Sequence, residues 1–262
     1  MPWLTYNSSK VYFEDKGNGQ PVLLIHGWNS SSTFFNQAFV EGLERNFRVI
    51  LIDLPGYGRS DCSELSFEKL SEIINSLLDK LQIERINILG FSMGTPIALD
   101  YSIRNPEKVN KVILIKPFVD YPFFLLPLMI PKLNSFSLDF FLSNRFGESL
   151  TKRLLLIKGF DYKNFYKMFS ENDTAVSLEY MTLVWKYSFV DHYQRMSKLD
   201  NRMLIVLGES SEKYLINKAE KINKVLKKGT LVFIEKAKHF PTEENPSKTL
   251  AIIQKFINEY KC

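Results

Sequence analysis

Short apolar runs recur along this chain and alternate with segments of helical periodicity. The runs are Val22-Leu23-Leu24-Ile25, Val49-Ile50-Leu51-Ile52, Ile86-Asn87-Ile88-Leu89, Val112-Ile113-Leu114-Ile115, Met203-Leu204-Ile205-Val206-Leu207 and Leu231-Val232-Phe233-Ile234. A four- or five-residue run that is apolar at successive positions, or at all but one as at Asn87, suits a strand covered on both faces, the situation of a strand inside a mostly parallel sheet. Helical stretches are expected over Thr33 to Arg45, Met93 to about Arg104 and Lys213 to Leu226. Ser66 suits an N-cap, with Phe67, Leu70, Ile73, Ile74, Leu77, Leu78 and Leu81 on one stripe behind it. Asn245 and Pro246 open a last helix whose apolar face holds Leu250, Ile253, Phe256, Ile257 and Tyr260. The polar/apolar alternation of residues 4–14, with turn residues over Asp15 to Gly19, reads as a lead-in hairpin. Such β-α alternation predicts an α/β fold: a mostly parallel central sheet of about eight strands with helices on both faces. From Pro117 to about Lys198 the pattern changes to aromatic-rich helical segments, so residues 117–198 are expected to form an inserted helical cap on a core made of 1–116 and 199–262.

The segment Gly90-Phe91-Ser92-Met93-Gly94 lies where the Ile86 strand gives way to a helix. A serine between two glycines at a sharp strand-to-helix turn exposes its hydroxyl at the end of the strand, beside the free N–H groups of the helix. That is a place for a nucleophile, and a serine hydroxyl needs a base. Only three histidines exist: His26, His192 and His239. His239 follows the last strand, and in a parallel sheet the loops at the C-terminal strand ends share one edge, so Ser92 and His239 can converge. His192 lies at the end of the cap and reads as an ordinary packed or surface residue. An oxyanion needs donors. The N–H of Met93 is one, and the N–H of Trp28, after the Val22 strand and next to Gly27, is the second.

Composition narrows the alternatives. Hydrophobic residues make up 45% and charged residues 24%, as in an ordinary globular protein. The two cysteines, Cys62 and Cys262, cannot build a disulfide framework and fit a reducing compartment. Neither a basic leader nor an apolar h-region is visible at the N-terminus, and the run from Phe123 to Ile130 is far shorter than a membrane span. A cytoplasmic protein without a membrane span is expected. The net charge of +5 falls short of a nucleic-acid footprint.

Taken in order, His26-Gly27-Trp28, Asp53-Leu54-Pro55-Gly56-Tyr57-Gly58-Arg59-Ser60, Gly90-Phe91-Ser92-Met93-Gly94 and His239 resemble the α/β-hydrolase fold family over essentially the whole chain, in its serine carboxylesterase branch. The resemblance implies Ser92 as nucleophile, His239 as base, Trp28 and Met93 as the oxyanion hole, and no metal or organic cofactor. It also implies an acid in the loop after the Met203 strand, in the pattern Gly-x-x-Asp. Here the chain departs from the family: Gly208-Glu209-Ser210-Ser211-Glu212 puts Ser211 at the aspartate position. Glu212, one residue later, is the favoured acid, with Glu209 and Asp120 as the other candidates. Lys116 occupies the position nearest the strand that precedes Asp120.

The cap opens with Phe118, Phe123, Phe124, Leu125, Leu126, Phe136, Phe140 and Phe141, which favours an apolar acyl group in the substrate. From Arg145 to Lys167 six basic residues face two acidic ones. With the motifs above, this is similar to the esterases of biotin synthesis that remove a methyl ester from pimeloyl-acyl carrier protein, and it implies an acidic carrier protein docking on a basic cap. The expected function is hydrolysis of a small-molecule or carrier-bound carboxylic ester. The alternatives are a ligand-binding protein on a hydrolase scaffold, prompted by the missing aspartate, and a carbon–carbon bond hydrolase.

Overall fold

A computed structural model describes residues 2–119, 173–189 and 191–259. Eight strands form one sheet: β1 (Trp3–Tyr6), β2 (Ser9–Lys16), β3 (Gln20–Ile25), β4 (Phe47–Ile52), β5 (Ile86–Phe91), β6 (Val109–Ile115), β7 (Arg202–Gly208) and β8 (Gly229–Ile234). Their spatial order is β1-β2-β4-β3-β5-β6-β7-β8. β2 runs antiparallel to β1 and β4, and every other pair is parallel. The expected eight-stranded, mostly parallel sheet is present.

The apolar runs divide by strand periodicity. Leu23, Ile25, Ile50, Ile52, Val112, Leu114, Ile205 and Leu207 face one core, while Val22, Leu24, Val49, Leu51, Ile113, Ile115, Leu204 and Val206 face the other. The first core is covered by α2 (Phe67–Lys80), α3 (Gly94–Arg104) and α6 (Lys213–Val225) through Leu70, Leu77, Ile97, Leu215 and Ile222. The second is covered by α1 (Gln37–Glu44) and α8 (Pro246–Asn258) through Phe39, Leu43, Ile253 and Phe256. Burying each such side chain contributes about 1.5–3 kcal/mol.

Capping sets the helix limits. Ser66 Oγ accepts from Lys69 N–H, and Asn245 Oδ1 accepts from Lys248 N–H, as the sequence leads one to expect. The helix expected from Thr33 to Arg45 is divided. Asn36 leaves helical geometry and takes Phe39 N–H on its side chain, so a 3-10 turn at Ser32–Phe34 precedes α1. The hairpin turns at Asn7-Ser8, both with positive φ, while Asp15 and Lys16 continue β2 and Gly17 to Gly19 link it to β3.

Of the segment expected to be a cap, the structure describes α4 (Thr174–Tyr187) and α5 (His192–Met196). α4 packs on the loops that follow β3 and β4. Trp28 Nε1 donates to Ser177 O, Ser177 Oγ bonds Asn29 Oδ1, and the Tyr57 and Tyr180 rings stack at 4.8 Å. The basic run from Arg145 to Lys167, Asp120, and Phe123, Phe124, Leu125, Leu126, Phe136, Phe140 and Phe141 at the start of the cap lie outside the described residues. No described helix is long and apolar enough to cross a membrane. A short helix, α7 (Pro241–Glu244), follows β8 and precedes α8.

Candidate active site

Ser92 stands at the turn from β5 into α3 with φ +49, a left-handed conformation for a residue with a side chain. Such a backbone costs of order 1–3 kcal/mol and persists where neighbours over-determine it. Ser92 N–H donates to Ile115 O at 2.9 Å on the adjoining strand, and Ser92 O accepts from Thr95 N–H at 2.9 Å. The flanking glycines allow the sharp turn by close approach. A Cβ on Gly90 would stand 2.4 Å from Gly94 O, and one on Gly94 would stand 2.4 Å from Ile25 O. Any larger residue at either position would push α3 off the sheet. Met93 precedes the first turn of α3, where backbone N–H groups have no intrahelical acceptor.

The loop after β3 reaches the same spot. A Cβ on Gly27 would lie 3.5 Å from Ser92 Cβ, so the start of that loop adjoins the serine, and Trp28 follows directly. The indole of Trp28 is tied to α4 by its bond to Ser177 O at 2.8 Å. Asn29, with φ +51, turns the chain away again.

His26 is in the same loop but is fully engaged. Its Nε2 accepts from Leu54 N–H at 3.0 Å, which leaves Nδ1 to donate to Gly27 O at 2.8 Å. It is fully buried, and burial depresses its pKa despite the charge of Asp53. Asp53 in turn accepts from Ser32 N–H and Arg59 N–H, so this pair fastens the loops after β3 and β4 together. His192 packs between the rings of Tyr187 and Tyr193.

The loop after β8 brings His239 to the same edge, 6% exposed. Its Nε2 lies 3.1 Å from Glu212 Oε1, yet neither ring nitrogen makes a hydrogen bond of good geometry. Burial pushes its pKa down to about 4, with Lys116 and Lys238 adding to the fall and Glu212 and Glu244 opposing it. The loop after β7 holds two of the three acid candidates, Glu209 and Glu212. Ser211, at the position where the resemblance leads one to expect aspartate, turns its hydroxyl to Lys238 O at 2.9 Å and does not meet the imidazole. Glu212 begins α6 without capping it, and its carboxylate faces His239 instead. Glu209 is exposed, and Asp120 lies outside the described residues.

Two residues that sequence reading does not assign to the site also border it. Lys116, at the end of β6 with φ +52, sets its ammonium 5.2 Å from the ring centroid of Phe240. Burial lowers its pKa, with Glu212 and Glu244 opposing. Glu244 accepts backbone N–H groups from the loop that holds His239. No sequence signal marks that role, because its partners are main-chain amides. A separate groove of about 980 Å³, bordered by Arg85, Asn87, Lys111 and Arg202, lies at the opposite, N-terminal ends of β5 to β7.

Similarity to known proteins agrees with the fold. A family model described as the alpha/beta hydrolase fold matches residues 20–246. The chain is 32% identical over 108 residues to a pimeloyl-[acyl-carrier protein] methyl ester esterase of Nitrosomonas europaea, covering 41% of each chain. It is 33% identical over 117 residues to a 2-hydroxy-6-oxononadienedioate/2-hydroxy-6-oxononatrienedioate hydrolase of Cupriavidus pinatubonensis, covering 40% of this chain and 39% of that one. The matches therefore span about 40% of the length of these curated relatives. The structure of an esterase from Exiguobacterium antarcticum superposes with a TM-score of 0.78 over 98% of this chain and 99% of that one, at 21% identity. With its sheet order, its strained serine turn and a family match over most of its length, this chain is a member of the α/β-hydrolase fold family.

Proposed function

We propose that the protein hydrolyses carboxylic esters through an acyl-enzyme on Ser92. The reading is supported above all by one observation: the left-handed serine turn and the close approach of Glu212 to His239 occur on loops of the same sheet edge. His239 is neutral above about pH 4 and can accept a proton. Its Nε2 already lies 3.1 Å from Glu212 Oε1 without a well-aligned hydrogen bond, and in this reading the ring turns until one nitrogen meets Ser92 Oγ and the other meets Glu212. Ser92 Oγ then attacks the ester carbonyl carbon as its proton passes to the imidazole. The N–H groups of Trp28 and Met93 hold the oxyanion. Collapse of the tetrahedral intermediate breaks the bond to the alkoxy oxygen, which leaves as the alcohol with the proton from His239. Water, deprotonated by the same imidazole, attacks the acyl-enzyme and releases the acid and free Ser92. Glu212 orients the imidazole and stabilises its cationic form.

The substrate reading is an apolar acyl group, with a carrier-bound methyl ester as one candidate. The relative in Nitrosomonas europaea and the basic run from Arg145 to Lys167 support it. In this reading residues 117–198 cap the site and the protein works in the cytoplasm. A second reading is favoured by the relative in Cupriavidus pinatubonensis, whose named substrate has a ketone and no ester, so that its hydrolysis breaks a carbon–carbon bond.

A fluorophosphonate probe is expected to label Ser92, and Ser92→Ala to abolish turnover of p-nitrophenyl esters. Folded protein that resists the probe, or a Ser92→Ala enzyme with full esterase activity, would sink the proposal. Weak turnover across an ester panel, beside brisk cleavage of a 2-hydroxy-6-oxo-dienoate, would favour the second reading.

A further inference from the structure

Glu244 closes the short helix α7, five residues beyond His239. Its carboxylate does not pair with a lysine or arginine among the described residues. It accepts three consecutive backbone N–H groups instead: Oε2 takes Lys238 N–H at 2.9 Å, and Oε1 takes His239 N–H at 2.8 Å and Phe240 N–H at 2.6 Å. Hydrogen bonds to an ionised acceptor are about twice as strong as neutral ones, and three together fix both the position and the orientation of a peptide stretch. The other contacts of this loop are consistent with that. Ser211 Oγ donates to Lys238 O, Ser210 N–H donates to Ala237 O, and the Phe240 ring stacks on Phe91 at 5.9 Å. The backbone of His239 is thus held at the main chain, while its ring faces Glu212 at 3.1 Å without a well-aligned hydrogen bond.

We propose that Glu244 is a positioning residue for the hydrolytic reaction, its carboxylate fixing the backbone of His239 so that rotation of the ring alone brings one nitrogen to Ser92 while the other meets Glu212. The inference rests on the reading of His239 as the base. It separates two jobs that one histidine cannot do alone. A base that must swing needs a mobile ring, and a base that must arrive in line needs a fixed pivot. Displacements of about 1 Å at such a pivot cost on the order of 100-fold in rate.

The test compares Glu244→Gln, Glu244→Asp and the wild type on a p-nitrophenyl ester, with His239→Ala as the reference and amide hydrogen exchange at residues 238–240 read in parallel. The glutamine variant keeps one acceptor oxygen but places an NH₂ against N–H groups. Its kcat is expected to fall on the order of 10- to 100-fold with KM within about twofold. Exchange at the three amides should accelerate. The charged groups facing the imidazole are Lys116, Lys238, Glu212 and Glu244, so losing one carboxylate should move the acid limb of kcat/KM to lower pH. Glu244→Asp keeps the charge and loses the reach: the limb should stay in place while kcat remains low. A Glu244→Gln or Glu244→Asp enzyme with wild-type kcat, beside an inactive His239→Ala, would overturn the role of Glu244 and leave the base standing. A His239→Ala enzyme with wild-type turnover would overturn the reading of the base itself. If Glu244→Gln does not fold, Glu244→Asp alone decides by the same kcat criterion.

Discussion

Two histidines sit at the C-terminal edge of the sheet, and they are opposites. His26 is fully buried with both ring nitrogens engaged, one accepting from Leu54 N–H and the other donating to Gly27 O. His239 is nearly as buried, at 6% exposure, and neither ring nitrogen is hydrogen-bonded among the described residues. Burial depresses the pKa of both, so the shift by itself does not tell a structural imidazole from a reactive one. What distinguishes them is satisfaction. A buried polar group that native structures would normally pair is left open at His239, beside a carboxylate and a strained serine turn.

Removing each ring in turn separates the two histidines most. His239→Ala should lower kcat for an active ester by roughly 10⁶-fold and cost less thermal stability than His26→Ala, because its ring makes no well-aligned hydrogen bond to lose. His26→Ala should do the reverse. It strands Leu54 N–H and opens a cavity in a closed site, which costs about 2–3 kcal/mol, or a fall in Tm of roughly 4–12 °C for a chain of this size. Calorimetry and steady-state kinetics on the same two proteins decide it. An inactive but fully stable His26→Ala enzyme would show that the loop after β3 carries chemistry beyond its backbone amides.

Glu212→Gln is the next largest expected effect. The substitution keeps the shape facing His239 and removes the charge that stabilises an imidazolium. A loss of up to about 10⁴-fold in kcat is the ceiling set by buried triad acids. Glu212 is 34% exposed at its side chain, so solvent screening should hold the loss to about 10²-fold. Glu209→Gln, at an exposed position, should be silent. Equal losses in the two variants would mean that the loop, and not one carboxylate, supports the imidazole.

Much of this was legible in the sequence, for identifiable reasons. The strands could be read because apolar runs covered on both faces leave a pattern that polar loops do not imitate, and the serine turn because its glycines are dictated by backbone clashes at Gly90 and Gly94. Ser66 and Asn245 could be read because caps are local. Asn36 was missed although it too is a cap, since its neighbours continue the helical pattern on both sides. The acid was open among three residues because the choice depends on Ser211, whose hydroxyl is captured by a carbonyl 27 residues away. Glu244 had no legible role at all: its partners are N–H groups, which every residue but proline has.

The smallest effect expected concerns Lys116, and it tests why two buried histidines titrate as they do. The Lys116 cation near His239 opposes protonation of the imidazole, and after burial it is the largest cause of the low pKa. Nothing comparable acts on His26, where the nearby charge is Asp53 and works the other way. Lys116→Met keeps the apolar stem against Phe240 and removes the charge. The pKa of His239 should then rise from about 4 toward the ordinary histidine range. Because the reaction needs the neutral base, activity is lost as pH falls through that pKa, so the acid limb of kcat/KM must move to higher pH. The stability consequence has a definite sign. A histidine whose folded pKa is depressed binds fewer protons folded than unfolded between the two pKa values, so it costs stability as pH falls from the unfolded value toward about 4. Raising the folded pKa narrows that window, and Lys116→Met should lose less stability than the wild type between pH 6 and pH 4. A pH–rate profile and a pH series of melting curves would read both shifts. An acid limb that stays in place would assign the low pKa to burial alone, and the contrast between the two histidines would then rest on hydrogen bonding without help from charge.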